Sequence, residues 1–173
     1  MNESLKSTSV RIREVLDKAL SRVLISLMVL LVLNVTWQVA SRYLLQSPSA
    51  FTDELARFLL IWLGMLGSAY ALGQRIHLAI DLFISSQKLN GQRVIRRGIH
   101  LLIALFALSV MVYGGGYLVV LVLELDQTSA ALGLKLGYVY LAIPLSGLLM
   151  IMYAILNFIN PKVTYFESTH INT

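Results

Sequence analysis

Four long stretches of this 173-residue chain contain no Asp, Glu, Lys or Arg. They cover residues 23–41, 58–74, 98–123 and 136–161, and they are almost entirely apolar. A hydrocarbon core of about 30 Å needs about 20 helical residues to cross it, so each stretch is close to the length of a transmembrane helix. The sequence therefore predicts an all-α membrane protein with four transmembrane helices, spanning residues 23–45, 52–74, 98–123 and 137–159.

Composition supports one membrane domain over residues 1–173. Charged residues make up 13% of the chain, against about 25% in soluble domains. The absence of cysteine excludes disulfides, thiolate metal sites and thiol redox chemistry. The net charge of +5 could suggest nucleic acid as a partner. However, the basic residues flank apolar runs, which indicates contact with membrane lipids and no nucleic-acid partner.

Basic residues predict the orientation of the chain in the membrane. They concentrate in the N-terminal segment and in the second connection, as Lys6, Arg11, Arg13, Lys18 and Arg22, and as Arg75, Lys88, Arg93, Arg96 and Arg97. The positive-inside rule then places both termini and the second connection in the cytoplasm. The first and third connections face outward. We expect a multi-pass membrane protein.

Two segments have the periodicity of amphipathic helices that lie at the membrane surface. Residues 10–22 alternate apolar and charged faces and lead into the first span, and residues 76–90 repeat the pattern over a shorter length. The basic residues that follow the second segment are expected near anionic lipid headgroups. A solvated charged loop over residues 88–97 is an equally good interpretation.

Helix-end signals occur at a few positions. Ser47-Pro48 has the pattern of an N-cap followed by proline in the first turn, so the second helix is expected to start near Pro48. Pro144 predicts a kink in the fourth span. The glycines at 114–116 indicate close helix packing, which is a more common role for such residues than a functional bend.

Four charged residues near the first connection are candidates for a structural ion-pair cluster: Arg42, Asp53, Glu54 and Arg57. Asp53 and Arg57 are four residues apart on one helix and share a face. Because a short hairpin joins the first two spans, Arg42 is expected to reach Glu54 and to fix the register of the two helices. The alternative is that all four are solvated interfacial charges that contribute little.

The sequence offers no catalytic, substrate-binding or metal site. The central turns of all four spans lack ionisable side chains, whereas transporters that carry their own solute place such groups near the bilayer midplane. A membrane enzyme or electron carrier would have to use His77 and His100, both near the predicted cytoplasmic surface. We expect no enzymatic activity and no cofactor.

An ordered set of residues gives a family resemblance. It consists of Trp37, Arg42-Tyr43, Ser47-Pro48, Asp53-Glu54, Arg57, Trp62, Gly67, His77, Asp81 and the run from Tyr140 to Pro144. The set resembles the DctQ-type small membrane subunit of tripartite ATP-independent periplasmic (TRAP) transporters, over residues 23–158. Phe51 stands where that family often has tryptophan. Trp37, Tyr43, Trp62, His77 and Asp81 are the interfacial residues of this motif.

The resemblance implies a multi-pass protein of the bacterial inner membrane, a scaffold that braces a large TRAP membrane subunit. In such systems a periplasmic solute-binding protein transiently delivers an organic carboxylate, and the large subunit imports it by symport with sodium. Sodium is thus expected on the large partner subunit. The resemblance is greatest to small subunits of sialic-acid systems, and it implies that the outer connections help to dock the binding protein. The alternative class is a self-sufficient small oligomeric channel or exporter.

Overall fold

The computed structural model describes residues 3–44, 46, 49–74 and 89–159, and the regular structure in these residues is helical. In chain order the elements are α1 (Glu3–Leu44), α2 (Ala50–Gly73), α3 (Leu89–Phe106), a π-helical segment (Ala107–Gly114), α4 (Gly115–Glu124), α5 (Leu136–Tyr140) and α6 (Ala142–Ile159). The three elements from α3 to α4 follow one another without a connecting loop. The predicted all-α fold is confirmed.

Four stretches of these helices are long and apolar enough to cross a membrane. They are span one (Ser9–Leu44), span two (Ala50–Gly73), span three (Gly98–Glu124) and span four (Leu136–Asn157). The prediction of four transmembrane helices is therefore confirmed, with the largest difference at the start of span one.

That difference arises because α1 is a single helix of 42 residues. At about 1.5 Å per residue it is roughly 63 Å long, about twice the thickness of the hydrocarbon core. No glycine or proline interrupts residues 3–44, so nothing in the sequence breaks the helix where the amphipathic segment 10–22 meets the first span. Of the second predicted amphipathic segment (residues 76–90), residues 76–88 lie outside the described residues.

Two helix ends differ from or refine the sequence-based expectation. The helix α2 begins at Ala50, within two residues of the expected start near Pro48, and its N-cap is Ser49 in an extended conformation rather than the expected Ser47. Span four is interrupted at Leu141, where α5 ends and α6 begins. Pro144 lies in the first turn of α6, and its missing N–H cannot bond to Tyr140 four residues earlier.

The four spans form a row rather than a closed bundle. Among the described residues, α1 packs on α2, α2 packs on α6, and α6 packs on α3 and the π-helical segment. In the part of the chain that the structure describes, neither α1 nor α2 contacts span three, and α1 touches α6 only slightly. The spatial order is therefore one, two, four, three. Such a row encloses no central axis and has two broad sides.

Small residues let span three and span four approach closely. A side chain added at Gly147 would lie 2.7 Å from Cβ of Met111, and one added at Gly115 would lie 2.7 Å from Ile143. Glycine at such positions allows backbones to come together where lipid supplies no hydrophobic driving force. On the other side of α6, Tyr153 is fully buried in a cluster with side chains of α1 and α2.

Candidate interface sites at the two ends of the helices

Glu54, near the start of α2, binds the connection between spans three and four. Its Oε2 accepts a hydrogen bond of 2.6 Å from the hydroxyl of Ser129. Three consecutive backbone N–H groups also donate to the carboxylate, from Ala130 at 3.1 Å, Ala131 at 3.0 Å and Leu132 at 3.1 Å. Successive N–H groups that converge in this way form a concave anion-binding site. The carboxylate of one hairpin therefore holds the loop of the other.

The loop has the tight backbone that such an arrangement requires. An N–H of Gly133 donates to the carbonyl of Ser129 at 3.0 Å, and Gly133 has a φ of +64°, which favours glycine. Thr128 and Lys135 pair across the loop as an isolated bridge. Lys135 also forms a salt bridge of 3.0 Å with Asp126. Hydrogen bonding to Asp126 and its negative charge raise the pKa of Lys135 above its ordinary value.

Substituting Glu54→Gln is expected to loosen this loop. The amide retains the size of the side chain, but it loses the negative charge that strengthens bonds from N–H donors. We expect amide hydrogen exchange at Ala130, Ala131 and Leu132 to accelerate roughly tenfold or more, as in a locally opened segment. Glu124→Gln is the matched control, since Glu124 is an exposed carboxylate at the end of α4. Equal exchange in both variants would show that Glu54 does not hold the loop.

Polar groups also join α1 to α2 at the end of the helices where Glu54 lies. Asn34 donates to the carbonyl of Thr52 at 2.8 Å, and Gln38 donates to Oδ1 of Asp53 at 3.1 Å. The other carboxylate oxygen of Asp53 accepts from Arg57 at 2.6 Å. The side chain of Arg57 is 73% exposed, so the pair contributes little stability by itself. Because Asp53 and Arg57 both belong to α2, the polar contact between α1 and α2 at this end is made by the neutral amides of Asn34 and Gln38.

The structure does not bring Arg42 to Asp53 or Glu54. Among the described residues, the carboxylate of Asp53 pairs with Arg57 and that of Glu54 is occupied by the loop at 129–132. Arg42 is exposed in the last turn of α1, where the helix dipole favours a positive charge. The Arg42–Glu54 ion pair expected from the sequence is therefore not formed in the structure. Asn34 and Gln38, which are hydrogen-bonded across the hairpin, were missed because polar residues in an apolar run gave no sign of their partners.

The motif residues lie in different environments. The side chains of Trp37 and Tyr43 are 59% and 75% exposed near the end of α1, as expected of aromatic residues at a membrane interface. Trp62 is partly buried and packs on the cluster around Tyr153. His77 and Asp81 lie outside the described residues.

A second polar cluster lies at the opposite end of the helices, and we call it the junction. It consists of Arg13, Asp17, Gly73, Tyr153 and Asn157. The hydroxyl of Tyr153 donates to Oδ1 of Asp17 at 2.7 Å. Arg13 donates to the carbonyl of Gly73, at the C-terminal end of α2, and to Oδ1 of Asn157 at 3.2 Å. The junction thus ties α1 to the ends of α2 and α6.

Sequence reasoning missed the junction because it placed Arg13 and Asp17 on the solvated face of an amphipathic helix. Their side chains are only 19% and 23% exposed, and they form a salt bridge of 3.7 Å. The one available signal was Tyr153, since a tyrosine inside an apolar run needs a partner for its hydroxyl group. Nothing in the sequence identified Asp17, 136 residues away, as that partner.

Comparison with known proteins gives the family. Residues 31–162 match the model of the DctQ component of tripartite ATP-independent periplasmic transporters, which is most of the chain. The chain belongs to this family. It is similar to the sialic acid TRAP transporter small permease protein SiaQ of Vibrio cholerae, with 29% identity over 104 residues, covering 59% of this chain and 60% of that protein. It is also similar to a putative TRAP transporter small permease protein of Haemophilus influenzae, with 26% identity over 141 residues, covering 78% of this chain and 82% of the other.

Membership assigns this DctQ-family chain to a class of transport components rather than to enzymes. Together with the four spans, it makes the chain a multi-pass protein of the inner membrane. In the part of the chain that the structure describes, no group of three His, Cys, Asp or Glu side chains is placed to hold a metal ion. The polar contacts described above lie at the two ends of the helices, where they join helices and loops.

Proposed function

We propose that this chain is the non-catalytic scaffold subunit of a sodium-coupled TRAP transporter for an organic carboxylate. The large membrane subunit carries the solute and the sodium ion, and this chain braces it. The observation that supports the proposal is the row of four spans. In the part of the chain that the structure describes, this row encloses no central axis, and its apolar runs contain no Asp, Glu, Lys or Arg. A self-sufficient channel needs a polar path through the membrane.

The proposal includes an orientation. With both termini in the cytoplasm, the end with Glu54 and the 125–135 loop faces the periplasm. Exposed charges on that end include Arg57, Asp126 and Lys135, with side-chain exposures of 73%, 72% and 50%. Such charges favour brief, salt-sensitive encounters. We propose this end as part of the surface on which the periplasmic binding protein transiently docks.

The proposed substrate class is a carboxylate such as sialic acid. Support comes from the name of the Vibrio cholerae relative alone. In the proposed assembly this chain does not contact the solute, so substrate specificity is a property of the large subunit and the binding protein.

Reconstitution tests the proposed function. When co-expressed with the large membrane subunit of its own transporter, the tagged chain is expected to retain that subunit through purification. Liposomes with both subunits and the binding protein should accumulate radiolabelled sialic acid, or another carboxylate, when a sodium gradient is imposed. Liposomes with this chain alone should show no uptake.

Two results would contradict the proposal. One is uptake by liposomes that contain only this chain, which would favour the channel or exporter. The other is purification of a symmetric oligomer of this chain that leaves the co-expressed large subunit behind. Liposomes with the large subunit alone serve as the control for the contribution of the small subunit.

A further inference from the structure

Two tyrosines lie on the outside of span three, deep within the membrane. The side chains of Tyr113 and Tyr117 are 79% and 67% exposed. Span three ends at Glu124, and 11 residues of helix place Tyr113 about 16 Å from that end. This distance is about half of a 30 Å hydrocarbon core. Tyr113 therefore lies near the midplane, whereas tyrosines that contact lipid are enriched at the interfaces.

The hydroxyl groups of these tyrosines differ from the other hydroxyl groups along the spans. Serine and threonine side chains in the spans donate to a carbonyl of their own helix, as seen for Ser26, Thr36, Ser68, Ser109 and Ser146. A tyrosine hydroxyl is too far from its own backbone to do the same. In the described part of the chain, neither Tyr113 nor Tyr117 has a hydrogen-bond partner. A hydroxyl left unpaired in hydrocarbon is unfavourable.

The surface beside Tyr113 is also shaped for close approach. Gly116 is one helical turn from Tyr113, and no atom lies within 4 Å of a side chain added there. Gly115, by contrast, faces α6 and is in tight contact with Ile143. Among the described residues, nothing therefore packs against Gly116. It leaves a notch next to the tyrosine ring on the side of span three that faces away from the row.

We propose that this surface, made of Tyr113, Gly116 and Tyr117, packs against a transmembrane helix of the large subunit. The partner helix fills the notch at Gly116 and offers a hydrogen-bond acceptor to Tyr113 near the midplane. Lipid tails have no acceptor at this depth, so the tyrosine hydroxyl favours a protein helix over lipid, and the proposed scaffold role makes the large subunit the source of that helix. The inference rests on the proposed scaffold role and adds the contact face. Span three is an end helix of the row, so a partner can approach it without displacing another span.

Photocrosslinking in the whole complex tests the contact. Benzoylphenylalanine replaces Tyr113 in one variant and Leu33 in another, and each is co-expressed with the large subunit. Leu33 is the matched control because it lies near the middle of the apolar run of α1 and is 62% exposed. Irradiation is expected to join the Tyr113 variant to the large subunit and to leave the Leu33 variant unlinked.

The outcomes separate this inference from the proposed function. If the large subunit copurifies but Tyr113 crosslinks only to lipid or to a second copy of this chain, the contact face is wrong and the scaffold role stands. Equal crosslinking from Leu33 and Tyr113 would also overturn the face. If no large subunit copurifies with the wild-type chain, the scaffold role fails and this inference falls with it.

Removing one oxygen atom tests the hydrogen bond. Tyr113→Phe keeps the ring and is expected to weaken association with the large subunit about threefold, the usual effect of one hydrogen bond between transmembrane helices. Tyr138→Phe is the control, since Tyr138 is 58% exposed near the start of span four. Recovery of the small subunit itself reports on folding. Unchanged association of the Tyr113 variant would contradict the proposed acceptor.

Discussion

The substitution Gly73→Ala is expected to destabilise the protein by about 1–3 kcal/mol, the usual effect of overpacking a tight site. A Cβ atom at Gly73 would lie 2.5 Å from the nearest ring atom of Tyr153. The ring cannot move aside, because Tyr153 is fully buried and its hydroxyl is held by Asp17. The substitution therefore strains the whole junction, including the bond from Arg13 to the carbonyl of Gly73. The measurement is the free energy of unfolding in detergent, from titration with SDS followed by circular dichroism.

Gly64→Ala is the control for this prediction, with an expected effect of the opposite sign. Gly64 lies on the same helix, and nothing is within 4 Å of a side chain added there. Replacing a helical glycine with alanine removes an entropic penalty of roughly 0.5–1 kcal/mol. If both variants change the unfolding free energy in the same direction and by the same amount, the contact between Gly73 and Tyr153 does not constrain the junction.

A second large effect is expected from Gly147→Leu, which should separate span four from span three. An added Cβ would lie 2.7 Å from Cβ of Met111 and 3.2 Å from the carbonyl oxygen of Ala107. These atoms are main chain or directly attached to it, so rotation of a side chain cannot relieve the clash. We expect a loss of about 3 kcal/mol, at the upper end for an overpacked site.

The same SDS titration measures this loss, with Gly64→Leu as the matched control because position 64 is open. A stability of the Gly147 variant within about 0.5 kcal/mol of the control, the usual spread for tolerated surface changes, would mean that the two helices do not meet closely at Gly147. Because span three carries the proposed contact with the large subunit, less of the large subunit should also copurify with this variant.

The sequence predicted features that depend on local spacing. Asp53 and Arg57 meet because residues four apart share a helix face. It did not predict the partner of Glu54, whose contacts with the 129–132 loop join residues at least 75 positions apart. Charge alone favoured Arg42 as that partner. A loop that presents several N–H groups to one carboxylate cannot be recognised from charge, because backbone donors have no sequence signature.

The sequence by itself determined that the chain spans the membrane four times, because the thickness of the bilayer sets the length of an uncharged apolar run. It also carried the motif of the family to which the chain belongs. Only the tertiary structure decided that the spans stand in a row. It also decided that polar contacts join neighbouring elements at each of the two ends of the helices. The physical reason is that apolar helices look alike to lipid. Their neighbours are therefore selected by the shape of small residues and by a few distant hydrogen bonds.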